Sequence, residues 1–178
     1  MSYLVISTSL NPDSKSYLLA RETESQLKAA GQKVEFLDLR KVKLPLCDGA
    51  SAYGRSGVKR VTDKIRKASC ILLAVPIYNY DVGAAAKNLV ELTGEGWAEK
   101  TVGFLCAAGG RSSYMSVMGL ANSLMLDFRC LVIPRFVYAD RTAFQGGAIA
   151  DDTIRQRIEE FVAKAVSLNG VNITTPPA

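Results

Sequence analysis

Two stretches, CILLAV (70–75) and TVGFLCA (101–107), carry no charge and no alternation of polar and apolar residues. A strand with one wet face alternates; a strand apolar at consecutive positions is buried on both faces, and the sheet that holds it must be covered on both sides. YLVIST (3–8) repeats the pattern, and CLVIPRFVY (130–138) reads as a final strand or two. VEFLDL (34–39) reads as a strand with an acid on each face, hence in a less buried position. Helical periodicity fills the gaps. The spacing predicts a helix over 14–30, with Leu18, Leu19, Thr23 and Leu27 on one face and Gly31 as its stop. It predicts others over 57–68 (Val58, Val61, Ile65), 83–92, 112–126 (Met115, Met118, Leu120, Leu124) and 151–168 (Ile154, Ile158, Phe161, Val162, Ala165). Residues 40–55, with Pro45, Gly49 and Gly54, read as a loop. Strand followed by helix, about five times over, predicts an α/β fold with a parallel sheet between two helical layers. The expected organisation is one domain over 1–168 and a frayed tail over 169–178.

Composition removes several classes of function. The chain has no histidine, so neither a Ser-His-Asp nor a Cys-His mechanism is available, and the commonest zinc ligand is missing. Cys47, Cys70, Cys106 and Cys130 are scattered, three of them in apolar runs, which predicts buried free thiols in a reducing cytoplasm rather than a disulfide framework. No apolar run approaches the roughly 20 residues that cross a membrane, and the N-terminus lacks the basic region of a signal peptide. A net charge of +5 is mild; it favours anionic small molecules in a general way, and no basic cluster is dense enough for nucleic acid.

In open parallel sheets, ligands bind beyond the carboxyl ends of the strands, so three strand-to-helix loops are the place to look. STSLNPDSKS (7–16) offers hydroxyls and an amide from Ser9, Asn11, Ser14 and Ser16 at the start of a helix, where free N–H groups and the helix dipole favour a phosphate. The same residues are what an N-cap needs. The loop lacks the glycine and lysine patterns of nucleoside triphosphatases and dinucleotide-binding folds. It also lacks the carboxylate pocket of a phosphate-accepting receiver.

The second loop lies in AVPIYNYDVGAAAKN (74–88). Pro76 is expected to end the strand ladder, since it has no N–H. Asn79 tolerates unusual backbone angles. Gly83 and three alanines are expected to keep the next helix thin for the approach of another surface. Tyr78 and Tyr80 could flank a flat aromatic ligand, pack on a second subunit, or cap the core edge. The third loop, AAGGRSSY (107–114), carries Gly109 and Gly110 for close backbone approach and Arg111 for charge, with Ser112 and Ser113 as expected helix caps; a plain capped turn reads the same. Taken together, the loops suit a flat ring with a phosphate tail, as in flavin mononucleotide (FMN).

Pro76-x-Tyr78-Asn79, then Lys87-Asn88 and an acid at Glu91, resembles the P-x-Y-N…K-N…D pattern of the NADPH-dependent FMN reductase family, whose relatives reduce azo compounds, chromate and quinones. TSLNPDSKS (8–16) resembles its phosphate loop, with Asn11 in place of the usual arginine and Ser16 in place of asparagine. The resemblance spans about residues 2–168. It implies a flavodoxin-like three-layer α/β/α sandwich with a five-stranded parallel sheet in the order 2-1-3-4-5. It implies that Ser9, Asn11, Ser14 and Ser16 hold the FMN phosphate, and that Pro76, Tyr78, Asn79 and Tyr80 line the flavin ring. Ala108, Gly109, Gly110 and Arg111 would meet the ring's other side or polar edge, and Arg111 is a further candidate for attracting the NADPH phosphate. Gly83 replaces a family proline, and Tyr80, bulkier than is usual there, is expected to narrow the nicotinamide site. It also implies a homodimer or homotetramer that completes each flavin site. The activity implied is ping-pong transfer of electrons from NADPH or NADH, through FMN, to a quinone, an azo compound, a metal oxyanion or free flavin, with no catalytic acid or base of the protein's own. Two other readings stay open: an FMN-binding electron carrier without NAD(P)H activity, although such carriers are strongly acidic and this chain is basic, or a flavin-free interaction protein on the same fold.

Overall fold

The computed structural model describes residues 2–168, so the tail expected over 169–178 lies outside the described residues. A sheet of seven strands runs through the protein. β1 (Tyr3–Ser7) pairs in parallel with β2 (Val34–Asp38) on one side and β3 (Cys70–Tyr78) on the other. β3 pairs along seven residues with β5 (Thr101–Ala107), and β5 pairs in parallel with both β6 (Leu131–Val132) and β7 (Val137–Ala139). β4 (Asp81–Val82) is antiparallel to β3. The order is β2-β1-β3-β5-β6. The five expected positions are there in the expected order. The differences are the added β4 and a last position split between β6 and β7 around Pro134.

Side-chain alternation on the strands explains their unbroken hydrophobicity. Tyr3, Val5, Leu72 and Leu105 face a layer formed with α1 (Lys15–Ala29) and α5 (Asp152–Leu168), including Leu19, Leu27 and Phe161. Leu4, Ile6, Leu73 and Phe104 face the other layer, with α2 (Ser56–Lys67), α3 (Ala84–Thr93) and α4 (Met118–Phe128). Gly103 sits mid-strand because a Cβ there would meet the Phe161 ring at 2.5 Å. β2, the strand with an acid on each face, is an edge strand. All four cysteines are free thiols; burial pushes Cys70 up to about 12 and Cys130 to about 11. Among the described residues no helix is long and apolar enough to cross a membrane, and no group of His, Cys, Asp or Glu could hold a metal.

Several local expectations need correction. Pro76 does end the parallel ladder, its pair with Ala107 being the last to β5, but β3 runs on to Tyr78 by pairing with β4, and the Pro76 carbonyl accepts the Gly83 N–H (2.8 Å). Residues 40–55 are not all loop, since short 3-10 turns cover Leu39–Lys41 and Ser51–Gly54. The helix expected over 112–126 begins as a 3-10 turn, Tyr114–Val117, and becomes α-helical only at Met118. A hairpin of β8 (Phe144–Gln145) and β9 (Ala148–Ile149) was not anticipated, although Gly146 and Gly147, both left-handed, are its turn signal.

Candidate functional site

The first loop shapes itself. Thr8 is fastened to β3, its N–H and hydroxyl both donating to the Ala74 carbonyl (3.0 Å each). The Asn11 N–H donates to Ser9 Oγ (3.3 Å), and Asn11 Oδ1 accepts from the Asp13 N–H (2.9 Å). Ser14 caps α1 by accepting the Tyr17 N–H (3.1 Å) and lies 3.0 Å from the Ser16 hydroxyl. Ser9, Ser14 and Ser16 are all buried. A support that the sequence did not reveal comes from β2. Asp38 accepts from the Arg40 N–H (3.0 Å), from its Nε (3.0 and 3.2 Å) and from its Nη2 (2.8 Å), and Arg40 Nη1 donates to the Pro12 carbonyl (3.0 Å) while the guanidinium lies over the Tyr17 ring. Burial works to raise the Asp38 pKa, but the hydrogen bonds from Arg40 outweigh it, and the carboxyl is held below its usual range.

The second loop is a hairpin rather than a simple strand-to-helix turn. Ile77 pairs with Val82 and Tyr78 with Asp81, which leaves Asn79 and Tyr80 as its two turn residues. Both are left-handed (φ 51° and 61°), the conformation a two-residue hairpin turn demands. Asn79 adopts it cheaply; a tyrosine does not. Tyr78 and Tyr80 are 53% and 68% exposed, so they do not cap the core. Gly83 serves the interior instead of thinning a surface: a Cβ there would meet Pro76 Cγ at 3.0 Å and the Tyr78 ring at 3.5 Å.

The third loop is tied to β7. The Ala108 N–H donates to the Ala139 carbonyl (3.0 Å), Tyr138 Oη donates to the Gly110 carbonyl (2.5 Å), and Ser113 Oγ lies 2.8 Å from Tyr138 Oη. Ser113 stands at the N-cap of the Tyr114–Val117 turn, but its side chain makes no capping bond; Ser112 Oγ lies 3.2 Å from Tyr80 Oη and links the second loop to the third. A Cβ on Gly109 or Gly110 would meet nothing within 4 Å, so the backbone here borders open space.

These loops enclose a cleft of about 730 Å³. Ser9, Asn11, Ser14, Ser16, Pro76, Tyr78, Asn79, Tyr80, Ala108, Gly109 and Gly110 all line it. Arg111 does not. Its side chain is 88% exposed, donates to Asp140 (2.9 Å) and lines a neighbouring cavity. Asp140 is held down to about 2, first by the Thr142 hydroxyl and N–H and then by Arg111. Lys15 also lines the cleft. It was readable as a lysine beside a helix cap; its ammonium lies over the Phe144 ring, 5.7 Å from the centroid. In the Lys87-Asn88…Glu91 motif, Lys87 and Glu91 form an exposed ion pair (3.5 Å). Asn88 clamps the 45–47 segment by accepting the Cys47 N–H (2.8 Å) and donating to the Pro45 carbonyl (2.9 Å).

Comparison with known proteins bears on this geometry. A family described as NADPH-dependent FMN reductase matches residues 1–145. An NAD(P)H-dependent FAD/FMN reductase of Geobacillus thermodenitrificans is 25% identical over 76% of this chain and 75% of its own length. A probable NADPH:quinone oxidoreductase 1 of Oryza sativa subsp. japonica is 28% identical over 74% of this chain and 72% of its own. Among solved structures, the flavoenzyme NAD(P)H:(acceptor) oxidoreductase FerB of Paracoccus denitrificans superposes with a TM-score of 0.71 over 93% of this chain and 97% of its own, at 18% identity. A flavodoxin from the domain Archaea superposes at 0.65 over 96% of this chain and all of its own (100%), at 11% identity; the fold is flavodoxin-like.

Proposed function

The chain belongs to the NADPH-dependent FMN reductase family, and we propose that its cleft binds FMN and that donor and acceptor take turns there in a ping-pong reaction. The observation that carries this is the convergence of eleven residues from three separate loops on one cleft at the carboxyl edge of the sheet. The parts fit the group. The volume lies within the usual 300–1,000 Å³ of small-molecule sites. Ser9, Ser14 and Ser16, with the first N–H groups of α1, serve as the phosphate cradle. Gly109 and Gly110 leave room for a ring edge, and Tyr78 and Tyr80 offer ring faces. When bound, FMN supplies the hydride and electron transfer, so the protein needs only to bind, orient and exclude.

The left-handed Asn79–Tyr80 turn holds the tyrosine at the mouth, where it limits the approach to the ring. NADPH or NADH is the donor. Quinones, azo compounds, metal oxyanions or free flavin are the acceptors, in the cytoplasm. A homodimer or homotetramer completes the mouth: Tyr80 (68% exposed) and Met115 (62% exposed) are large side chains for a second copy to cover. The test is steady-state kinetics with NADPH and a quinone. Parallel double-reciprocal lines are expected; intersecting lines would overturn the shared-cleft, ping-pong reading.

A further inference from the structure

The third loop is a wall with a second cavity behind it. Gly110 and Ser113 face the flavin cleft, while Arg111 and Tyr114 face a space of about 510 Å³ on the β7 side. Tyr138, which bonds both Gly110 and Ser113, stands between the two. The second cavity has three guanidinium groups, from Arg111, Arg135 and Arg157, and two carboxylates, from Asp140 and Asp151. The carboxylates are already engaged. Asp140 accepts from Arg111 and from the N–H and hydroxyl of Thr142; Asp151 accepts from the N–H and hydroxyl of Thr153. Arg157 has an exposed pair with Glu160 (3.2 Å). Arg135 pairs with no carboxylate among the described residues. Its backbone is left-handed (φ 61°), straight after Pro134, where glycine would sit without strain. Beside it the Tyr114 and Phe136 rings stack at 4.7 Å, and Tyr114 keeps 42% of its surface exposed. Tyr138 meets the Tyr114 ring edge-on from 5.4 Å, so Tyr114 offers its remaining exposed surface, and an unpaired guanidinium on a strained backbone beside it fits a ligand that is both anionic and flat.

We propose that this second cavity receives the 2′-phosphoadenosine end of NADPH, with the adenine against Tyr114 and the 2′-phosphate on Arg135. The proposal rests on reading the adjoining cleft as the flavin site, since that is where the nicotinamide end must reach. It makes Arg135, rather than the ion-paired Arg111, the residue that distinguishes NADPH from NADH. A guanidinium–phosphate contact is a charge-assisted hydrogen bond, whose loss lowers affinity by about tenfold to a hundredfold.

The test uses Arg135→Gly, which removes the charge and relieves the backbone, so its thermal midpoint should equal or exceed that of the wild type. Arg135→Lys keeps the charge without the planar fork. Calorimetry with adenosine 2′,5′-bisphosphate and with 5′-AMP is run with and without FMN, so the nucleotide result stands whether or not flavin binds. The wild type should bind the bisphosphate at least about tenfold tighter than 5′-AMP; Arg135→Gly should abolish that difference, and Arg135→Lys should keep part of it. In turnover, Arg135→Gly should lower the preference for NADPH over NADH by a similar factor, with the FMN dissociation constant unmoved. Equal binding of the two nucleotides, or an unchanged donor preference, would overturn the proposal. Loss of FMN binding in the wild type would instead overturn the flavin reading of the cleft.

Discussion

The two edges of the sheet are built from the same kinds of residue and used differently. At the amino edge, polar groups close on one another. The Ser2 N–H donates to Ser69 Oγ, Ser69 Oγ donates to the Ser2 carbonyl, and Lys100 Nζ donates to the Arg66 carbonyl. Trp97 is fully buried there, its indole N–H satisfied by Thr93 Oγ1 (2.7 Å). At the carboxyl edge, three loops keep hydroxyls, glycine backbone and two tyrosine rings around an open cleft. Both edges contain left-handed residues. Arg129 at the amino edge ends α4, and its N–H returns to the Leu124 carbonyl. Asn79 and Tyr80 instead hold an exposed ring at the mouth of the cleft. At one edge the polar groups satisfy one another; at the other they stay around an open cleft.

The largest expected contrast comes from the closed edge. Trp97→Ala should lower unfolding free energy by about 3–5 kcal/mol, read by urea titration, while the remaining folded protein still takes up FMN at full stoichiometry. A loss below about 1 kcal/mol would mean that the buried Trp97 does not anchor the amino edge. On the open edge the effect should be reversed. Ser14→Ala combined with Ser16→Ala should cost only about 1 kcal/mol of stability through the lost cap, yet weaken FMN binding by tenfold or more. A fluorescence titration of FMN checks this.

Much of this contrast was legible in the sequence. Unbroken apolar runs gave the doubly covered sheet, because both alternating faces of β1, β3 and β5 are buried. Helix caps and glycines located the first and third loops. The hairpin at Asn79–Tyr80 is not legible because a proline that ends a parallel ladder does not announce antiparallel pairing beyond it, and because a tyrosine gives no left-handed signal. The late start of α4 was missed because Ser112 and Ser113 have two possible partners, a helix end or a tyrosine hydroxyl, and only tertiary structure brings Tyr80 and Tyr138 near. The outward turn of Arg111 depends on Asp140, 29 residues further on, and no local pattern encodes it.

Two smaller effects sharpen the comparison. Tyr80→Gly should stabilise the protein by about 0.5–1 kcal/mol, because glycine occupies the left-handed turn without strain, and should weaken flavin binding. A stability gain without any change in FMN affinity would remove Tyr80 from the site. The last concerns acid. Asp140 is held at about 2, below its ordinary 3.8, so as pH falls the unfolded chain takes up the proton first. Its contribution is complete above about pH 4 and disappears as pH falls toward about 2. Asp140→Asn should flatten that part of the urea-midpoint profile, and an unaltered profile would show that the Thr142 and Arg111 contacts are not maintained in solution.

The central claim is that the carboxyl edge is a flavin site whose first loop holds a phosphate. Titrating the flavin-free protein with FMN and, separately, with riboflavin tests it most directly, since the two ligands differ only in that phosphate. Stoichiometric FMN binding, with riboflavin weaker by at least about tenfold, is the expected result. Equal affinity for both would contradict the phosphate cradle at Ser9, Ser14 and Ser16, and binding of neither would contradict the flavin site itself.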